Sequence, residues 1–87
     1  MRRRTQGPAT VTRTDDALAT ELRAEPAISA EAVQDGEGND VFLPNGANVT
    51  VTDVLTLLNI TWAKVDVAGS TGYVKHMYIV PSKRRRR

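Results

Sequence analysis

Short runs in which apolar and polar residues alternate, each closed by glycine, proline or asparagine, most narrow what this chain can fold into. Asn48–Thr52 alternates cleanly, and Thr61–Val67 does so again, placing Ala63, Val65 and Val67 on one face and Trp62, Lys64 and Asp66 on the other. Pro44-Asn45-Gly46 and Ala68–Gly72 supply turns. Tyr73-Val74-Lys75 then resumes with Val74 inward, His76-Met77-Tyr78 suits a single helical turn, and Ile79-Val80 forms a last strand before Pro81. With Val41-Phe42-Leu43 and a weaker run at Ala27–Val33, the spacing predicts about five short strands, the signature of a small barrel or sandwich.

Upstream the pattern differs. Thr14 can cap a helix, Asp15 and Asp16 suit the positive end of its dipole, and Ala17 to Ala24 are good helix formers that stop before Pro26. One short α-helix is therefore expected within residues 15–26, docking through Leu18 and Leu22 at i, i+4. Thr5–Thr14 reads as a polar connector. The expected organisation is a basic arm over 1–14, the helix, a β-barrel over 27–82 and a basic tail over 83–87.

Charge is segregated rather than balanced. Arg2, Arg3, Arg4, Lys83, Arg84, Arg85, Arg86 and Arg87 make up eight of the twelve basic residues, which leaves four against ten carboxylates between them, a net of −6. Blocks of like charge with nothing apolar to bury are expected to be disordered in isolation. They serve either solubility and targeting or contact with a polyanion, for which arginine's planar fork is suited. With 87 residues and no cysteine, the chain has a thin core, no disulfide and no thiolate metal site. No leader-like or membrane-length apolar run is present, so an intracellular or virion setting without a signal peptide, and no membrane, is expected.

The runs "LPNGANVTV", "WAKV", "TGYV" and "YIV", in that order from about Phe42 to Val80, resemble the bacterial-type SH3 (SH3b) domains. The resemblance implies an SH3-like barrel. It also implies an aromatic surface for peptides or cell-wall peptide stems, with Trp62, Tyr73 and Tyr78 as ligand contacts and Phe42 either a contact or core. Gly72, before the tyrosine, is expected to let the backbone bend at a barrel corner. Two stretches depart from the family. "SAEAVQDG" lacks the arginine of the usual first-strand motif, and "DVLTLLNIT" is too apolar for an ordinary hairpin loop. Val54, Leu55, Leu57, Leu58 and Ile60 form either a helical turn capped by Thr52 or a hairpin tip. They either pack on the short helix or make a protein-interaction or self-association surface.

No catalytic arrangement emerges. His76 is the sole histidine, Asp15-Asp16 is explained by a helix start, and the acidic Asp35-Gly36-Glu37-Gly38 would repel phosphate. The chain is expected to be a non-enzymatic module without metal or cofactor. Three binding roles follow: a structural component of a nucleic-acid-containing particle, a virion or ribonucleoprotein, held to nucleic acid by its arginines; a peptide-binding SH3b module; or a cell-wall-recognition module. Sequence-specific DNA reading is not expected, since the body is acidic and shows no recognition helix.

Overall fold

The computed structural model describes residues 7–82, and all but one of its regular elements are strands. They are β1 (Gly7–Val11), β2 (Ala19–Glu21), β3 (Phe42–Pro44), β4 (Ala47–Leu57), β5 (Ile60–Val67), β6 (Ser70–Lys75) and β7 (Ile79–Pro81), with a 3₁₀ turn at His76–Tyr78. Five strands form one antiparallel sheet in the order β6-β5-β4-β1-β7, and β2 pairs with β3 in a second. The strands do not close into a barrel. No helix among the described residues is long and apolar enough to cross a membrane.

Turn chemistry sets the register. Leu58 and Asn59, at φ 51° and 68°, link β4 to β5, and Ala68 and Gly69, at φ 50° and 85°, link β5 to β6. Two successive left-handed residues match the twist of antiparallel strands, so both connections are tight hairpins. The apolar 54–60 segment is thus a hairpin tip, not a helical turn. A bulge between Val51 and Asp53 shifts the β4–β5 register and bends the long hairpin.

Val11, Leu22, Leu43, Val49, Val51, Ala63, Val65, Val74 and Tyr78 form the body of the core, with Ala9 beside them. Ala63, Val65 and Val74 point inward as the alternation predicts. β1 lies between β4 and β7, so a stretch that reads as part of a polar connector supplies a central strand, with Ala9 and Val11 buried.

The expected α-helix over residues 15–24 does not form. Instead the Asp15 carboxylate accepts from the Ala17 backbone N–H at 3.1 Å, bending the chain, and Ala19–Glu21 pairs with Phe42–Pro44. A helix of about ten residues is marginal without a docked face. Strand geometry instead buries Thr20 and Leu22 together, at 4% and 0% exposure, and leaves Leu18 84% exposed. Ala27–Val33 is not a strand either: it joins the fold through the isolated pairing of Ala32 with Arg23 and through backbone bonds of Glu31 with Ala24 and of Val33 with Leu22 and Val41.

The two sheets meet at one backbone seam. Arg23 N–H donates to the Tyr73 carbonyl at 3.0 Å, Tyr73 N–H returns to the Arg23 carbonyl at 2.8 Å, and Val33 N–H donates to the Leu22 carbonyl at 2.7 Å. Gly72 makes this approach possible. A Cβ there would lie 2.7 Å from both the Arg23 carbonyl oxygen and Leu22 Cγ, and 2.9 Å from Val33 Cγ2. Its φ is not positive, so clearance, not the expected corner bend, is why a glycine stands there. Gly72→Ala is expected to destabilise the fold by about 1–3 kcal/mol or more, as overpacking does, measured by urea unfolding. An unchanged midpoint would mean the seam is not held this closely.

Candidate binding site

The bend at residues 13–17 brings a cation onto an aromatic ring. The Arg13 guanidinium carbon lies 4.5 Å from the Tyr78 ring centroid. Arg13 Nη2 donates to Asp15 Oδ2 at 2.7 Å and Nη1 donates to the Ala19 carbonyl at 3.2 Å. Its backbone N–H donates to Asn45 Oδ1 at 2.9 Å, and Asn45 Nδ2 donates in turn to the Ala17 carbonyl at 3.1 Å. This polar clasp fixes the residue 12–19 segment without burying apolar surface. The hydrogen bond to Asp15 holds the Arg13 guanidinium above its ordinary pKa, while the bonds from Arg13 and then from the Ala17 N–H hold the Asp15 carboxyl below the usual aspartate range.

Beneath the clasp opens a pocket of about 260 Å³ whose walls include Arg13, Thr20, Arg23, Trp62, Lys75 and Tyr78, with Phe42 also on the lining. Arg23 reaches it from the seam, anchored by its Nη1 bond to the Ala30 carbonyl at 3.0 Å and paired with Glu21 at 3.5 Å. Two buried polar atoms at this site have no hydrogen-bond partner: Arg13 Nε and Thr20 Oγ1. A second, more apolar pocket of about 420 Å³ lies against Val41–Pro44, Val67 and Ala68. Beside it the Asp35 carboxylate accepts from the backbone N–H groups of Asn39 and Glu37, which lower its pKa.

Of the three aromatic residues expected to share a surface, Trp62 and Tyr78 meet in the first pocket and Tyr73 does not. Tyr73 is half-buried and committed to the seam. Trp62 is not on an open outer face: it is 1% exposed. Leu55 and Lys75 stand directly across from it on the neighbouring strands, and residues of β2, β3 and the 3₁₀ turn line the same pocket, so both faces of β5 are covered here. Phe42, at 56% exposed, is not core.

The apolar hairpin tip divides by position. Val54 packs against the core and Leu55 flanks Trp62, whereas Leu57 and Leu58 are exposed, Leu58 at 94%. They do not pack on Leu18 and Leu22, because no helix presents that pair. Arg2, Arg3, Arg4, Lys83, Arg84, Arg85, Arg86 and Arg87 lie outside the described residues, but their attachment points do not. Ala9 pairs with Pro81, and Ser82 N–H donates to the Pro8 carbonyl at 3.1 Å. His76 is exposed, and among the described residues no group of three or more His, Cys, Asp and Glu is placed to hold a metal.

Sequence reasoning missed Arg13, Thr20, Arg23 and Lys75. Only the scarcity of cations between the two basic ends hinted that each had a task. No family model matches the chain, and no curated protein and no solved structure matches it.

Trp62→Ala is expected to lower stability by about 3–5 kcal/mol, as loss of a buried aromatic does, in contrast to the mild effect expected of an exposed groove residue. Urea unfolding followed by circular dichroism measures it, and a loss under about 1 kcal/mol would return Trp62 to the surface. The Asp15 clasp has a pH signature. Because the folded pKa is lowered, its stabilisation is complete above the unfolded aspartate value of about 3.9 and is lost as pH falls through the folded pKa. An NMR titration should place the Asp15 midpoint below the unfolded aspartate value, and Arg13→Ala should move it back up, leaving only the lowering due to the Ala17 N–H.

Proposed function

We propose that this chain is a non-enzymatic binding and assembly module with an SH3-like body, anchored to nucleic acid in a particle such as a virion or ribonucleoprotein by its two arginine-rich segments. The strand order β6-β5-β4-β1-β7, with Arg23 carrying the second sheet onto the β6 edge, supports reading the body as an opened SH3-like barrel. The observation that carries the role is the pairing of β1 with β7. It starts the chain's described part and ends it on adjacent strands, roughly 4.8 Å apart. Arg2–Arg4 and Lys83–Arg87 are therefore attached at one end of one sheet, so eight positive charges are delivered to the same place. A body of net −6 repels phosphate elsewhere, which confines the contact to these ends and makes it independent of base sequence.

A second reading rests on the pocket. Phe42 gives the lining an exposed aromatic face, with Trp62 and Tyr78 buried behind it and hydrogen-bonding groups beside it, which supports a groove for a peptide, including a cell-wall peptide stem. Exposed Leu57 and Leu58 at the hairpin tip suit a protein partner or a second copy in the assembly.

For nucleic acid, log affinity against log salt should fall with a slope of up to about −7 on duplex, if all eight basic residues each neutralise a phosphate. Removing residues 83–87 should reduce the slope by about 4.5, and removing residues 2–4 by about 2.7. Fluorescence anisotropy with a labelled duplex of unrelated sequence reads both. A slope near zero, or full binding after both segments are removed, excludes this role.

A further inference from the structure

We propose that the pocket beneath Arg13 is a subsite for a carboxylate, and that its occupant is a short acidic peptide segment. The inference rests on the groove reading and adds its chemical specificity. Residues 7–82 contain four cations, Arg13, Arg23, Lys64 and Lys75, and three of them line this one pocket, with Glu21 as the only carboxylate on its walls. In a body of net −6 that is a local inversion of charge.

Pairing within the site narrows the class of anion. Asp15 neutralises Arg13 and Glu21 neutralises Arg23, whereas Lys75 has no carboxylate partner among the described residues. Three positive charges less two negative leave +1, the charge that one carboxylate balances. A phosphate monoester, at about −1.5 to −2, overcharges it. Hydrogen bonding points the same way. Thr20 Oγ1 and Arg13 Nε, on two residues that line the pocket, are buried without partners, a state that costs about 1–3 kcal/mol for a polar group, and an oxyanion seated between those residues would supply the acceptors they lack after a small side-chain shift.

The walls select what carries the charge. Phe42, 56% exposed on the lining, sets an apolar face beside the cations that suits the methylene stem of a peptide side chain better than a hydrated free anion, with Trp62, Tyr78 and Val74 buried behind it. The volume of about 260 Å³ lies just under the range of about 300–1,000 Å³ typical of small-molecule pockets, so it admits one or two residues rather than a folded surface. Lys75 stands opposite Trp62 in register and lines the same pocket.

Trp62 is the only tryptophan, so intrinsic fluorescence of the full chain reports occupancy directly. The probes are end-blocked pentapeptides of alanine and leucine with a central glutamate or a central glutamine, and a neutral pentapeptide with a free C-terminal carboxylate. Binding of the glutamate peptide or of the free-carboxylate peptide at least about tenfold more tightly than the glutamine peptide, the scale of one charge-assisted hydrogen bond, supports the proposal, and the stronger of the two names the carboxylate's source. The basic ends attract any anion, so Lys75→Gln separates pocket from ends: it should abolish the discrimination while thermal unfolding is unchanged. Thr20→Val should weaken the charged peptide while leaving stability equal or higher, which a purely structural threonine would not do. If neither the glutamate peptide nor the free-carboxylate peptide binds more tightly than the glutamine peptide, the carboxylate subsite is overturned but the groove is left standing. No fluorescence response to any peptide overturns both, and tighter response to inorganic phosphate or to a short oligonucleotide overturns the choice of peptide.

Discussion

The reciprocal backbone pair between Arg23 and Tyr73 is the contact on which the rest of the molecule depends. It exists because Gly72 has no side chain where Leu22 and the Arg23 carbonyl press against β6. Through it the β2–β3 sheet is fixed to the edge of the five-stranded sheet, and Leu22 enters the core at 0% exposure. The same contact aligns Thr20, Glu21 and Arg23 along one wall of the pocket, with Trp62 and Lys75 on another. Fold and site share a single seam, so the glycine that looks like a turn residue in sequence governs the pocket's shape.

A chain this small has little apolar material for holding the 35-residue excursion between β1 and β4 in place. It uses polar fastenings instead: Arg13 to Asp15 and the Ala19 carbonyl, Asn45 to Ala17, Arg23 to Ala30, and Asp35 to the Glu37 and Asn39 amides. Exposed ion pairs contribute little each, about 0–1 kcal/mol, so these bonds choose a conformation more than they stabilise the molecule. Arg13 shows the double duty this creates. It clasps the loop, covers Tyr78, and still carries an unpartnered Nε–H at the pocket.

What was legible in the sequence was local. Alternation along β5 and β6 put Ala63, Val65 and Val74 inside, turn residues at Ala68-Gly69 marked a hairpin, and the single helical turn at His76–Tyr78 precedes the last strand as expected. The failures share one cause. A two-residue period tells inside from outside only when one face of a strand is covered, and Trp62 sits where a second layer covers the other face. Leu18 and Leu22 had helical spacing, yet β3 and the seam claim residues 19–23 as extended chain, a tertiary preference that overrides propensity. Nothing in the one-dimensional pattern shows that residues near 9 and 81 are partners, because pairing of chain ends is non-local.

The sorting of charge follows from that non-local pairing. Cations gather in two places on an acidic body: three around the pocket at Tyr78, and eight on segments that leave beyond Gly7 and Ser82. β7, three residues long, runs from beside the pocket residue Tyr78 to Ser82, so about 10 Å of strand separates the proposed carboxylate subsite from the point where the proposed phosphate-binding segment is attached. At physiological ionic strength the Debye length is about 8 Å, so charges at the two sites are screened from each other by slightly more than one such length. On the proposed roles, a nucleic acid held at the ends would therefore repel an acidic peptide in the pocket only weakly, and one small body could hold both anions at once. At low salt the same spacing falls well inside the screening length, and two such ligands would compete through the field without sharing a contact.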